Sequence, residues 1–145
     1  MADSANLLAA YLGHLQARVR LRQGRSTAAD RDANLAVLPE SISTRCSRDP
    51  EECLAMIVRA LAEPLGPEAV AAIGEGLLED LLNEHAGKIA DEVAAELRTN
   101  QRFRQAFGFG NHSSVDPALI EEWVRIFQSL GTTKERERKS AWRRA

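Results

Sequence analysis

The sequence predicts an all-α protein, and three observations support this fold class. Apolar residues recur three and four positions apart through most of the chain, which is helical spacing. No alternating polar and apolar run is long enough to indicate a strand. Only 5% of the residues are aromatic although 44% are hydrophobic, so Leu, Ile, Val and Ala build the core and favour helices over a sandwich or barrel. We expect about six or seven helices, arranged as a compact irregular bundle or a short antiparallel array.

The first predicted helix covers residues 4–23. Its apolar residues lie on one face and are Leu8, Tyr11, Leu12, Leu15 and Val19, and Gly24 supplies a stop signal. Residues 25–34 are polar and predict a loop with at most one helical turn. Pro39 then suits the first turn of a short helix that carries Ile42.

A stronger start signal opens the next helix. The sequence Asp49-Pro50-Glu51-Glu52 places an N-cap acceptor first, proline at the first helical position, and carboxylates where the helix dipole favours them. The apolar stripe that follows consists of Leu54, Ile57, Val58 and Leu61. Pro64 and Gly66-Pro67 end this helix and start another.

Two close glycines, Gly74 and Gly76, interrupt that following helix, and we expect a helix junction there. Beyond them one apolar face continues with Leu77, Leu78, Leu81, Leu82 and His85. We expect His85 to be partly buried and hydrogen-bonded to a backbone carbonyl. Gly87 fits a left-handed C-terminal cap.

The last third of the chain predicts three helical segments. The first has a four-residue apolar step formed by Ile89, Val93 and Leu97, and the second is a turn or two at residues 100–107 with Phe103 and Phe107. After a loop at residues 109–114, Asp116-Pro117 begins the helix with the most apolar face, closed by Gly131. That face consists of Ile120, Trp123, Val124, Phe127 and Leu130, and like Tyr11 its aromatic residues are interpreted as packing residues.

The length of 145 residues is typical of one domain. We assign residues 1–131 to a single helical domain and residues 132–145 to a basic C-terminal tail or short helix.

Cys46 and Cys53 form no metal or redox motif, so we interpret both as reduced thiols of a cytoplasmic protein, with a disulfide or metal role as the alternative. The sequence predicts no secretory signal, membrane span, metal or cofactor.

Residues from about Cys46 to Gly110 resemble a bacterial family of small helical proteins, the domain of unknown function 6869. The resemblance rests on Asp49-Pro50-Glu51, on Ile57, on Gly74-x-Gly76-x-Leu78-Glu79-Asp80-Leu81-Leu82 with His85 and Gly87, and on Arg102-Phe103-Arg104. It implies a helical fold and a bacterial origin and leaves the function open. The family pattern carries proline where this chain has Leu77, so a softer helix break is expected after Gly76. It also carries a tryptophan near Phe109-Gly110.

Charge is unevenly distributed although the formal net charge is only −2. Residues 60–97 contain nine acids and one base, for a segment charge of −8, whereas the two ends of the chain are basic. Such polarity allows the ends to pair with the middle, or to offer separate surfaces to basic and acidic partners.

The acids Glu75, Glu79, Asp80 and Glu84 are the candidate binding residues for a protein partner, preferably a basic one. Glu75, Glu79 and Asp80 could alternatively hold a divalent cation or perform acid/base chemistry, but the ordinary interpretation is a solvated face, with Glu79 or Asp80 capping a neighbouring helix. We therefore predict a non-enzymatic interaction module, such as an inhibitor, an immunity-type protein or an adaptor.

The basic ends suggest a different function, that of a nucleic-acid-associated accessory protein. Arginines 18, 20 and 22 on the first helix would contribute to this surface. In the C-terminal tail the candidate contacts are Arg136, Arg138, Lys139, Trp142 and Arg143. Glu135 and Glu137 reduce the net positive charge of the tail, which argues against nucleic-acid binding. Protein binding therefore remains the preferred prediction.

Overall fold

The computed structural model describes the backbone of residues 2–25, 27 and 40–144, and the side chains of residues 6–25, 27, 40 and 42–130. These residues form seven helices and no strand, which confirms the all-α prediction. The helices are α1 (Ala2–Arg22), α2 (Glu40–Arg48), α3 (Pro50–Ala62), α4 (67–85), α5 (Ala90–Thr99), α6 (Gln101–Phe109) and α7 (Pro117–Arg144). The predicted loop at residues 25–34 and Pro39 lie outside the described residues, except for residues 25 and 27.

Helix α1 ends as its sequence predicts. Gly24 has a φ of 69°, the left-handed conformation that glycine adopts without a Cβ clash. The Arg25 N–H donates to the Arg20 carbonyl at 2.8 Å, and the Gly24 N–H donates to the Leu21 carbonyl at 3.2 Å. This pairing satisfies carbonyls that the helix end would otherwise leave without partners.

The start signal at Asp49 is also confirmed. The carboxylate of Asp49 accepts the Glu52 backbone N–H at 3.0 Å, and Pro50 occupies the first turn of α3. Between α2 and α3, Asp49 is the single non-helical residue, so these two helices meet at a sharp joint. Leu54, Ile57 and Leu61 are buried, as the apolar stripe predicts, while Val58 is only partly buried.

Helix α4 differs from the prediction because the glycine pair does not create a junction. Three segments follow one another without a break: Pro67–Ile73, a π-helical turn at Gly74–Leu78, and Glu79–His85. The backbone stays right-handed helical at Gly74, with φ −64° and ψ −41°. Single π turns of this kind occur inside α-helices, commonly at functional sites.

The reason for glycine at position 74 is a contact with α6. A methyl group at Gly74 would lie 1.9 Å from the carbonyl oxygen of Ala106, so only glycine lets the two helices approach this closely. At Gly76 the equivalent methyl group would lie 3.4 Å from Nη1 of Arg18, which is ordinary contact. Close packing of helices therefore explains the first glycine better than a change in chain direction does.

The predicted left-handed cap at Gly87 is wrong. Residues Ala86–Lys88 form a 3₁₀ turn, and Gly24 is the only glycine with positive φ among the described residues. The chain instead leaves α4 at His85, where φ is −134° and ψ is 17°. The turn leads directly into α5, in which Ile89, Val93 and Leu97 are fully buried, as their spacing predicts.

The last two helices begin at side-chain caps. Asn100 accepts the Phe103 backbone N–H at 3.1 Å, and Asp116 accepts the Ala118 N–H at 2.8 Å. Helix α6 buries Phe103 and Phe107 and is longer than the predicted turn or two. The sequence predicts that the last helix ends at Gly131, but α7 continues to Arg144.

Helix α6 lies against α3 and α4, and α1 packs on α3 and on the first half of α4. Helix α7 packs mainly against α5 and contributes the fully buried Trp123. A continuous apolar core results, rich in Leu, Ile and Ala and including Tyr11, Cys46 and Cys53. This packing brings α2 beside the second half of α4, where the candidate site lies.

Candidate functional site

The four candidate acids on α4 have different surroundings. Glu75 pairs with Arg22 of α1, whose Nη2 lies 2.6 Å from Glu75 Oε2. Both side chains are about two-fifths exposed, at 40% for Arg22 and 41% for Glu75. This pairing between the basic first helix and the acidic middle of the chain already uses the charge of Glu75.

Glu79 holds the loop between α6 and α7. Its Oε1 accepts the backbone N–H of Asn111 at 2.5 Å. One turn further along α4, Asn83 donates to the Asn111 carbonyl at 2.8 Å and accepts the Ser114 N–H at 3.1 Å. Glu79 therefore holds a neighbouring loop, whereas we expected Glu79 or Asp80 to cap a neighbouring helix.

Asp80 and Glu84 lie at the rim of a pocket of about 90 Å³ between α2 and α4. We call it the acidic pocket, and its lining residues are Ser43, Cys46, Ser47, Leu77, Asp80, Leu81, Glu84 and His85. Helix α2 contributes hydroxyl and thiol groups, and α4 contributes apolar and acidic ones. The volume admits several water-sized groups or the end of one extended side chain.

The acidic pocket carries an unbalanced negative charge. Partial burial raises the pKa of Asp80, and the neighbouring carboxylates Glu84 and Glu79 raise it further. Among the ion pairs of the described residues, none involves Asp80, and the only one of Glu84 is with His85, with Nε2 3.7 Å from Glu84 Oε2. A cation placed between these two carboxylates would relieve their repulsion.

His85 lies on the wall of the acidic pocket but does not make the predicted hydrogen bond to a carbonyl. Its Nε2 is buried and lacks a hydrogen-bond partner among the described residues, since 3.7 Å to Glu84 is too long for one. The imidazole is therefore a polar group available to whatever enters the pocket.

The two cysteines form the part of the site that their sequence positions did not indicate. Cys46 on α2 and Cys53 on α3 are both buried and free, and their thiols lie close enough to shift each other's pKa in opposite directions. The buried hydroxyl of Tyr11 interacts electrostatically with both and has no hydrogen-bond partner among the described residues. The only sequence signal for this pairing was the seven-residue spacing across the joint at Asp49.

Other candidates have structural surroundings. His112 stacks on Phe107, with ring centroids 4.4 Å apart, and its Nε2 lies 3.0 Å from the Phe107 carbonyl oxygen. Ser114 belongs to the loop held by Asn83. His14 is nearly buried in α1, and burial followed by the charge of Arg18 lowers its pKa. None of these side chains lines the acidic pocket.

The candidate basic contacts at Arg136, Arg138, Lys139, Trp142 and Arg143 lie on the C-terminal part of α7, where the backbone is helical and the side chains are outside the described set. Within the described part of the chain, no group of three or more His, Cys, Asp or Glu residues could hold a metal ion. In the same part, every helix is too short or too polar to cross a membrane.

The sequence was compared with family models, with curated proteins and with solved structures. Residues 27–130 match the model described as "Family of unknown function (DUF6869)". The chain belongs to this family. The match extends beyond residues 46–110, on which the resemblance was based. Curated proteins and solved structures gave no match.

Several residues of the DUF6869 resemblance have structural roles in this chain. Asp49 caps α3, and Gly74 allows α4 to contact α6. Arg102 donates to the carbonyls of Leu61, Glu63 and Leu65, which lie at the end of α3 and in the connection to α4. Leu77, which replaces the proline of the family pattern, is buried in the π turn. The helix therefore continues through this region without the soft break that was expected after Gly76.

Proposed function

We propose that this DUF6869 protein is a non-enzymatic interaction module of the bacterial cytoplasm that binds a basic protein partner at the acidic pocket. An inhibitor, an immunity-type protein and an adaptor all fit this description. In each case a Lys or Arg side chain of the partner would enter between Asp80 and Glu84.

One observation carries the proposal. Burial and then the nearby carboxylate of Glu84 raise the pKa of Asp80, and no described cation forms an ion pair with Asp80. The apolar residues Leu77 and Leu81 line the same pocket. A long basic side chain would place its methylene groups against these leucines and its charge at the rim. Its arrival would remove repulsion that the free protein retains.

Glu75 and Glu79 contribute less to this binding. Because Glu75 is paired with Arg22 and Glu79 accepts a backbone N–H of the loop, using either for a partner would first break a contact within the chain. The proposed contact therefore centres on Asp80 and Glu84. The remaining acids of residues 60–97 would act at longer range by steering a basic partner toward the pocket.

The test uses the double variant Asp80→Asn/Glu84→Gln, which keeps the shape of both side chains and removes their charges. Purified wild type and variant are used to capture proteins from a nuclease-treated lysate of the source bacterium, and affinities are then measured by calorimetry with the purified partner. We expect the variant to bind the partner about tenfold more weakly or worse, because each lost pair at an interface rim is worth up to about 1 kcal/mol.

A matched control is Glu68→Gln/Glu122→Gln, which changes the net charge equally at two exposed acids outside the pocket. The control should retain nearly the affinity of the wild type. The proposal is overturned if no protein is enriched by the wild type over the Asp80/Glu84 variant, or if both double variants bind equally weakly. Capture from an untreated lysate that disappears from the nuclease-treated lysate would instead point to nucleic acid as the partner.

A further inference from the structure

The second chemical feature of the molecule is the thiol pair at the joint between α2 and α3. Cys46 lies near the end of α2, and Cys53 lies in the first turns of α3. Asp49 caps α3 between them, and the two thiols interact across this joint. Both cysteines belong to the same buried core.

The two thiols differ in access. Cys46 lines the acidic pocket and is 7% exposed, whereas Cys53 does not line the pocket and is 1% exposed. A small polar molecule that enters the pocket meets the sulfur of Cys46 first.

The two thiols also differ in acidity. The interaction with the Cys53 thiol lowers the pKa of Cys46, and this effect outweighs burial and the charge of Glu52, which act in the opposite direction. The same contact, together with burial, raises the pKa of Cys53. Thiolate is the nucleophilic form of cysteine, so Cys46 is the group that reacts first and Cys53 is the one that keeps its proton.

Tyr11 provides an independent observation. Its side chain is 1% exposed and its hydroxyl has no hydrogen-bond partner among the described residues, although buried polar groups are nearly always paired. Burial strongly raises the pKa of Tyr11, so its hydroxyl stays a donor. This hydroxyl interacts electrostatically with both Cys53 and Cys46, so an unpaired donor lies near the thiol pair.

We propose that Cys46 and Cys53 form an oxidation site for small hydroperoxides, in which Cys46 reacts with the peroxide and Cys53 resolves the product as a disulfide. The Cys46 thiolate attacks the peroxide, an S–O bond forms, the O–O bond breaks, and the leaving oxygen takes a proton to become water or an alcohol. The Cys53 sulfur then attacks the sulfenic acid, the S–S bond forms, and the S–O bond breaks. The oxygen leaves as water with the Cys53 proton. The peroxide accepts the two electrons that the thiols lose.

The proposal does not depend on protein binding at the acidic pocket. Its test treats the folded, reduced full chain with hydrogen peroxide, quenches with catalase, unfolds the chain and alkylates free thiols with a maleimide. Intact mass spectrometry and peptide mapping should find loss of both alkylatable thiols, a decrease by two hydrogen atoms, and a linked pair of peptides carrying Cys46 and Cys53. A chain unfolded in urea should lose its thiols more slowly, since the contact between them is then absent.

Two serine variants identify the role of each thiol. Cys53→Ser should accumulate sulfenic acid at Cys46, trapped with dimedone, and form no disulfide within the chain. Cys46→Ser should leave Cys53 alkylatable. The proposal is overturned if the folded wild type keeps both thiols while the unfolded chain loses them, if Cys53 reacts equally well without Cys46, or if only disulfides between chains form. The first of these outcomes is measured on the wild type and holds even if a variant fails to fold.

Discussion

Substituting Gly74 by alanine should destabilise the protein although it places a better helix former inside a helix. The new methyl group would lie 1.9 Å from the Ala106 oxygen and 2.8 Å from the Ala106 carbonyl carbon, both backbone atoms that cannot rotate away. Forcing α4 and α6 apart carries the cost of severe overpacking, about 3 kcal/mol. The higher helix propensity of alanine offsets about 1 kcal/mol of this cost. The free energy of unfolding should therefore fall by about 2 kcal/mol.

Urea unfolding followed by far-ultraviolet circular dichroism measures this change. With a slope of about 1.5 kcal/mol/M, the midpoint should fall by about 1.3 M while the slope stays unchanged. Gly76→Ala is the matched control, because its methyl group would meet only the flexible end of Arg18 at 3.4 Å. The free energy of unfolding of that variant should rise by about 0.5 to 1 kcal/mol. A Gly74→Ala protein as stable as the wild type, or an equal loss in both variants, would refute the close contact as the cause.

Two further predictions concern single side chains. Arg102→Leu should lose about 2 to 3 kcal/mol, because three carbonyls at the end of α3 and beyond lose a charged donor, whereas Arg98→Leu at an exposed position should change stability by less than about 0.5 kcal/mol. Equal urea midpoints for these two variants would contradict that role of Arg102. Because the folded state raises the pKa of Asp80, its contribution to stability is most favourable below the ordinary value of 3.8 and is lost as the pH rises through the folded value. Asp80→Asn should therefore be more stable than the wild type at neutral pH, with the difference disappearing in acid, and a variant less stable at neutral pH would be inconsistent with crowding of the acids at the pocket.

Those helix boundaries that depend on neighbouring residues could be predicted from the sequence. Asp49 and Asp116 each accept a backbone N–H at the helix start that the sequence assigns to them. The four-residue step of Ile89, Val93 and Leu97 fixes which face of α5 is buried. In these cases the interactions lie within a few residues, so sequence patterns contain the needed information.

The features that could not be predicted depend on contacts between distant parts of the chain. Gly74 indicates a helix break when read locally, yet its role is set by Ala106 in another helix. The acidic pocket exists because α2 packs beside α4, and no local pattern places Cys46 near His85. Of the four candidate acids, the sequence could not indicate which ones have partners, since Arg22 and Asn111 come from distant segments.

The π turn also sets the angular position of every side chain that follows it on α4. Successive residues of an α-helix are rotated by about 100°, and a π turn holds one residue more than an α turn between the same ends. The acids after Leu78 are thus rotated by about one residue relative to an uninterrupted helix. Asp80, after the turn, shares a pocket with Cys46 on α2, whereas Glu75, which precedes this rotation, meets Arg22 on α1. One extra residue in a single turn distributes the charge of one helix between two neighbours.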